Sequence, residues 1–321
     1  MNEFKKRNTR YYSVVDTELM KVSIPSSSHF SIGTSPYYAH QKAVAIDIYD
    51  QITIDNYQVS SPISGKVLQI KELQAPRPRF KGGIDKEYLT IIQNPDDKNT
   101  VFKILHIKPY LYVGKKLEVG DPLGETIRNG YFAPWSSPHI HLELKRPDEA
   151  LRAKGGYNFD LNIKRERTTN ISQQMNNYEQ IPIKIEFVCE EFILCRFPEN
   201  FYLYMEPIYG VRGNSGNINY IIDGGIPQYK NGIIHFHTGF DAKNIKTIKF
   251  LNVEIGKLME VRGNYGLVQF FPMKMLLSNY VIRGISLFLA NFQPFIKIIS
   301  YQKENFDFRL GSIQYFKISP T

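Results

Sequence analysis

The chain has 321 residues, of which 42% are hydrophobic and 22% charged, and it contains 21 Tyr and 21 Phe. This composition excludes a disordered chain and is sufficient for sizeable apolar cores. The formal net charge of +9 is spread along the chain. This favours a solvated basic surface over a surface that binds an anionic polymer, a membrane or nucleic acid, and no nucleic-acid-binding motif is present.

The N-terminal stretch MNEFKKRNTRYYSVVDTELMKV contains basic residues with no apolar run after them, unlike a secretory signal. The longest apolar stretches, such as GISLFLANF, are too short to span a bilayer. We therefore expect a cytoplasmic location, with export by another route left open. Cys189 and Cys195 are too few for a disulfide framework or a four-cysteine zinc site, and we expect small buried side chains there.

Short apolar segments separated by turn residues predict a series of β-strands from about residue 43 to residue 145. In chain order they are AVAIDIY, YQVSSPISGKVLQI, KEYLTIIQN, TVFKILHI, VGKKLEVGDPLGE and SPHIHLEL. The next segment, PDEALRAKGG, has a proline and acidic residues at its start and two glycines at its end. This order of residues predicts a helix.

A polar stretch without apolar periodicity, KRERTTNISQQMNNYEQ, predicts a linker over residues 164–180. It separates a first domain, residues 1–163, from a second β-rich domain, residues 181–321. The protein is therefore expected to be mostly β and to have two domains.

The second domain contains an internal sequence match. VRGNSG at 211–216 recurs as VRGNYG at 261–266, and GIIHFHTGF at 232–240 aligns with GISLFLANF at 284–292. Two matches in the same order predict two similar β modules. Their expected extents are about 181–240 and 241–300.

The alignment gives a prediction for His235 and His237, which form a His-x-His pair. The corresponding positions of the other module are Leu287 and Leu289. Positions that accept leucine in one copy are packing positions, so we expect neither histidine to bind metal.

A second His-x-His pair lies in the first domain. On a strand, His139 and His141 point to the same face, which suits a metal site or a pair of acid/base groups. His40 and Asp47 lie upstream, and His106 lies between them and the pair. Such residues can form the three-ligand set of a catalytic zinc, in which water is the fourth ligand. Zinc lowers the pKa of that water toward about 7, and a nearby imidazole can take its proton or stabilise an oxyanion.

The order of these segments resembles the LytM/lysostaphin-type zinc metallopeptidases over about residues 40–145. The counterparts of the family motifs are SPISGKVLQI, FKILHI, VGKKLEVGDPLGE and SPHIHLEL, of which the last two are the most specific. The resemblance implies a duplicated hybrid motif, a β-sandwich fold, in the first domain. It also implies one Zn²⁺ ion and a peptide or peptidoglycan-like substrate. The second domain matches no family known to us.

Carried over position by position, the resemblance implies that His40, Asp47 and His141 are zinc ligands. His106 and His139 would be the imidazoles that act on the water and the transition state.

The position of His40 departs from the family pattern. The common spacing is His-x-x-x-Asp, but Ala43 stands four residues before Asp47, and His40 stands seven before it. An odd separation on a straight strand puts two side chains on opposite faces, so a loop or bulge through QKA must bring His40 round. His29 is the other candidate.

Two functions are consistent with the sequence. One is a zinc-dependent metalloendopeptidase or related amide hydrolase. The other is a non-catalytic binding or scaffold protein that keeps the hybrid-motif fold, which lipoyl and biotinyl carrier domains also use. Asp47 together with His106, His139 and His141 favours the enzyme, because polar groups of this kind are costly to keep without a use. The sequence does not define the oligomeric state.

Overall fold

The structure is a computed structural model. It describes residues 9–164, 179–216, 218–237, 245–301 and 308–321. Over these residues the chain is almost entirely β, which confirms the predicted all-β fold class. In these ranges no helix has the length and apolar character needed to cross a membrane. Most of the predicted linker, residues 165–178, lies outside the described residues.

The chain divides into two compact units. The first unit consists of Met1–Phe30 and Val44–Asn162, and the second of Ser31–Ala43 and Ile163–Thr321. The short segment Ser31–Ala43 therefore groups with the C-terminal half of the chain, although the chain then returns to the first unit.

The described residues before 146 form a series of strands and one short helix, joined by turns and loops. In chain order they are β1 (Tyr11–Asp16), β2 (Lys21–Pro25), β3 (His29–Ser31), α1 (Tyr38–Gln41), β4 (Ile46–Tyr49), β5 (Gln58–Ser60), β6 (Gly65–Gln74), β7 (Lys86–Gln93), β8 (Val101–Leu105), β9 (Ile107–Pro109), β10 (Lys116–Leu117), β11 (Pro122–Thr126) and β12 (Ile140–Lys145).

These strands form a two-stranded sheet, β1-β2, a seven-stranded sheet in the order β10-β6-β7-β8-β12-β4-β3, and a three-stranded sheet, β5-β11-β9. In the seven-stranded sheet, β12 lies between β8 and β4 and is antiparallel to both. All six residues of β12 are buried. Because side chains alternate along a strand, its apolar residues share one face and its polar residues share the other. The polar side chains must therefore find partners inside the protein.

The helix predicted for PDEALRAKGG is wrong. Pro147–Glu149 form only a 3-10 turn, and Ala150 is the one buried residue between Arg146 and Gly155. An isolated segment this short cannot sustain an α-helix, and it has no continuous apolar face whose burial would stabilise one.

The second unit contains the remaining strands. They are β13 (Ile181–Val188), β14 (Ile193–Arg196), β15 (Tyr202–Met205), β16 (Ile208–Ser215), β17 (Ile218–Ile226), β18 (Asn231–His235), β19 (Thr247–Phe250), β20 (Val253–Arg262), β21 (Tyr265–Phe270), β22 (Met273–Leu277), β23 (Tyr280–Leu287), β24 (Ile296–Ser300) and β25 (Ile313–Pro320).

These strands belong to one sheet, in which β17 pairs with β16, β18 and β23. Six strands, β23-β22-β25-β13-β14-β24, form a closed ring because β24 pairs with both β14 and β23. A large cluster of buried Ile, Phe and Leu side chains forms the core of this unit. The abundance of β-branched and aromatic residues accounts for the strands and for this core.

The two repeated hexapeptides do not occupy equivalent positions. Both lie at β-hairpins, β16-β17 and β20-β21. In the first, Asn214 pairs with Asn219 inside the ladder. In the second, Arg262 pairs with Tyr265, so Gly263 and Asn264 form the two-residue turn itself. The shared Gly-Asn pair therefore lies in a strand in the first hairpin and forms the turn of the second.

Candidate metal centre

The centre of the seven-stranded sheet brings Asp47 and His141 together. Asp47 on β4 is the direct cross-strand partner of His141 on β12, so their side chains lie on the same face. The Nδ1–H of His141 donates to Oδ1 of Asp47 at 2.8 Å. Both residues are buried.

His139 lies just before β12 and belongs to the same cluster. Its Nε2 atom lies 3.3 Å from Oδ2 of Asp47. Its Nδ1–H donates to the backbone carbonyl of Ser137 at 2.8 Å, which fixes the orientation of the ring. The predicted projection of His139 and His141 to one face is therefore present, and both meet the same carboxylate.

His106 follows directly after β8, where the chain leaves the sheet. Its φ angle of 70° is in the left-handed region, which is uncommon for a non-glycine residue. Its Nδ1–H donates to Oε2 of Glu87 at 2.6 Å, and its backbone N–H donates to Oε1 of the same residue at 2.8 Å. Glu87 therefore holds both the backbone and the ring of His106.

The three imidazoles lie close together. His106, His139 and His141 each offer a ring nitrogen, and these atoms lie within 4.8 Å of one another. Phe132 packs beside two of them, with its ring centroid 4.7 Å from that of His106 and 5.1 Å from that of His139. An aromatic wall of this kind excludes water from one side of the cluster.

His40 lies on α1 and is buried. Its Nδ1–H donates to the backbone carbonyl of Ile32 at 2.8 Å. After α1, Ala43 takes a left-handed φ of 57°, so the chain turns before β4 begins and does not run as a straight strand from His40 to Asp47. His40, Asp47 and His141 also form a candidate ligand group, whose ligand atoms all lie within 4.8 Å of one another.

A buried ionic network lies on the same face of β12, beyond His141. Oε1 of Glu143 lies 3.4 Å from Nε2 of His141 and 2.8 Å from Nζ of Lys103. Oε2 of Glu143 lies 2.9 Å from Nζ of Lys145. Lys145 also donates to the backbone carbonyls of Arg152 at 2.9 Å and Lys154 at 3.0 Å. The charges on this face are thus paired within the protein.

These contacts determine the charge states of the cluster. Burial lowers the pKa of His141, but the hydrogen bonds to Asp47 and Glu143 outweigh it and raise the pKa to about 9. Burial lowers the pKa of His139 to about 3 against the opposing charge of Asp47, so this ring is neutral at pH 7. Burial raises the pKa of Glu87, but the charge and hydrogen bonds of His106 outweigh it and lower the pKa to about 2.

The structure therefore places every predicted site residue in a candidate ligand group. His29, the other candidate considered for the third ligand, is buried on β3. Neither of the two candidate ligand groups found among the described residues contains His29, His235 or His237. His235 is buried at the end of β18, with Nε2 3.4 Å from Oδ2 of Asp223.

Sequence reasoning missed Glu87, Glu143, Lys103 and Lys145. Glu143 could have been found, because it follows His141 at the same strand spacing that links His139 to His141. Glu87 and Lys103 carried no local signal, since they reach the site from neighbouring strands.

A family model of undefined function matches part of the chain. A model described as "Domain of unknown function (DUF8155) N-terminal domain" matches residues 18–161. No curated protein matches the chain. Among solved structures, the NMR solution structure of lysostaphin is similar at 14% identity, covering 77% of this chain and 95% of that chain, with a TM-score of 0.26. Both the identity and the TM-score are low.

Proposed function

We propose that the protein is a zinc-dependent hydrolase of peptide or related amide bonds. The observation that carries the proposal is the cross-strand pair of Asp47 and His141, with the imidazoles of His139 and His106 beside it. Asp47, His139 and His141 are buried and His106 is partly buried beside them. Such polar groups are expensive to desolvate, and clusters of this kind are common at functional sites.

The proposed ligands of one Zn²⁺ ion are His40, Asp47 and His141. Two imidazole nitrogens and one carboxylate oxygen are a donor set that catalytic zinc uses, with a further position open for water or substrate. When bound, zinc supplies a Lewis acid that lowers the pKa of a coordinated water and polarises a carbonyl group.

Hydrogen bonds to the proposed ligands support this assignment. His40 donates its Nδ1–H to a backbone carbonyl, and His141 has Glu143 beside its Nε2. Metal-binding histidines commonly use their second ring nitrogen in this way, which fixes the tautomer and the ring orientation.

His106 and His139 are the proposed catalytic residues. His106 uses its Nδ1–H in the hydrogen bond to Glu87. Its other ring nitrogen, Nε2, is the one that we propose holds or donates a proton in the reaction. His139 is neutral at pH 7 and is oriented by the Ser137 carbonyl. We assign to these rings the removal of a proton from the attacking water and hydrogen bonding to the developing oxyanion. A cell-wall-type peptide is the proposed substrate, on the strength of the motif resemblance.

Metal analysis of the purified full-length protein and its alanine variants tests the proposal. We expect one equivalent of zinc in the wild-type protein and a loss of both zinc and hydrolysis in the Asp47→Ala, His141→Ala and His40→Ala variants. His106→Ala and His139→Ala should retain zinc and lose about 10²–10⁴-fold in rate on a cross-link peptide.

A histidine outside the centre provides the control. His237 lies in the second unit, and the His237→Leu variant should change neither the zinc content nor the rate of hydrolysis. If the His40→Ala variant binds zinc as tightly as the wild type, His40 is not a zinc ligand and the proposed set loses its third member. In that case, or if the wild-type protein binds no zinc, the non-catalytic scaffold becomes the better interpretation.

A further inference from the structure

Asp223, on β17 of the second unit, is a fully buried carboxylate that holds the segment Ser31–Ala43. The backbone N–H groups of Ile32 and Gly33 donate to its Oδ2 at 2.7 and 3.1 Å. The hydroxyl of Ser31 donates to its Oδ1, and Nε2 of His235 lies 3.4 Å from its Oδ2. Hydrogen bonds of this kind offset the cost of burying the carboxylate, and each charge-assisted bond is stronger than a neutral one.

The segment also approaches the backbone of the unit closely. A Cβ atom added to Gly33 would lie 2.3 Å from the carbonyl oxygen of Asp223 and 3.1 Å from the backbone nitrogen of Ile233. Only glycine permits this approach without a backbone shift. The path of the chain at residues 32 and 33 is therefore determined by β17 as well as by the carboxylate.

One peptide group connects Asp223 to His40. The peptide that joins Ile32 to Gly33 donates its N–H to Asp223 at 3.1 Å and accepts the Nδ1–H of His40 at its carbonyl at 2.8 Å. Hydrogen bonds in such a chain polarise one another, so the charge on Asp223 strengthens the carbonyl as an acceptor for the imidazole. The carboxylate thus acts on the ring of His40 through a single peptide.

We infer that Asp223 is a positioning residue for His40. It fixes the carbonyl that selects the Nδ1–H tautomer of His40 and orients Nε2, the nitrogen that a metal ligand of this tautomer uses. The inference rests on the proposed function, because it gives Asp223 a role only if His40 binds zinc.

Zinc affinity of the Asp223→Asn variant tests this inference. The variant keeps the size of the side chain but removes its charge and presents an amide to several donors. We expect zinc affinity, measured with a competing chelator, to fall about 10–100-fold, the range typical of residues that orient metal ligands. In the zinc-free protein, ¹⁵N NMR of His40 should show an increased population of the Nε2–H tautomer, which a purely structural role would not cause.

The control is Ile298→Ala, a core truncation in the same unit with no link to His40. It should lower the unfolding temperature and leave zinc affinity within about twofold, because a loss of core packing acts on global stability. If Asp223→Asn binds zinc as tightly as the wild type and keeps the His40 tautomer, the inference is wrong and the proposed function survives. A wild-type protein that binds no zinc overturns both.

A second, milder variant keeps the inference testable if the Asp223→Asn variant does not fold. Ser31→Ala removes only one donor to the same carboxylate and should weaken zinc binding a few-fold. Unchanged zinc affinity in Ser31→Ala, together with an unfolded Asp223→Asn chain, would indicate a structural role only and would overturn the inference.

Discussion

Glu87 supports the candidate site although no sequence pattern pointed to it. It accepts hydrogen bonds from the ring and the backbone of His106, and the side-chain amide of Asn129 donates to it at 2.9 Å. The left-handed backbone at His106 is unfavourable by itself, so these contacts also stabilise the turn that carries the imidazole. Positioning of the imidazole and local stability therefore depend on one carboxylate.

The Glu87→Gln variant should lose stability in a pH-dependent way. The pKa of Glu87 is lowered to about 2 in the folded protein from its usual 4.5. Its contribution is therefore complete above pH 4.5 and is lost as the pH falls from there toward 2. We expect the free energy of unfolding to decrease by at most about 3 kcal/mol at pH 7, with about half of that difference left at pH 3. Urea unfolding of both proteins at the two pH values measures this.

Glu72→Gln is the matched control for this experiment. Glu72 pairs with Lys86 on the protein surface, with both side chains about half exposed, and exposed pairs contribute little. Its substitution should leave stability nearly unchanged at either pH. A Glu87→Gln variant with the same stability loss at pH 7 and pH 3 would contradict the assigned charge state.

At the scale of secondary structure, strand pairing assembles the site. The register places Asp47 opposite His141 on one side of β12 and Lys103 opposite Glu143 on the other. The alternation of SPHIHLEL predicted one polar face, and the structure has that face. Local sequence could not reveal that the face is buried, because its partners come from strands that only tertiary pairing brings alongside. The same limit explains the repeat, since two hexapeptides that differ at one position form hairpins of different register.

The buried ladder of Lys103, Glu143 and Lys145 gives a test at this scale. Glu143→Leu should destabilise the protein by about 3–5 kcal/mol, because it leaves two buried ammonium groups without their carboxylate. The double variant Glu143→Leu/Lys103→Met should be less destabilised than the single one, since Lys145 keeps its backbone carbonyl partners. Denaturant unfolding compares the two variants, and equal or greater loss in the double variant would show that the ion pairs do not act as a unit.

At the scale of the whole molecule, composition and alternating patterns were enough to predict an all-β chain. They were not enough to predict that Ser31–Ala43 groups with the C-terminal residues. Nothing in the local sequence of that segment marks it, because its attachment depends on Asp223, some 190 residues away along the chain. Local sequence patterns therefore predicted which residues lie near one another, but not which residues support them.

Removal of metal should lower the stability of the full chain if the proposed centre holds zinc. A ligand that binds only the folded state stabilises it by about 2.7 kcal/mol when its free concentration is 100 times its dissociation constant. We therefore expect a chelator to lower the unfolding temperature of the wild-type protein and added zinc to restore it, as measured by calorimetry. His141→Ala should show no response to either addition, because it lacks a proposed ligand. An equal response to the chelator in both proteins would mean that the metal effect arises elsewhere in the chain.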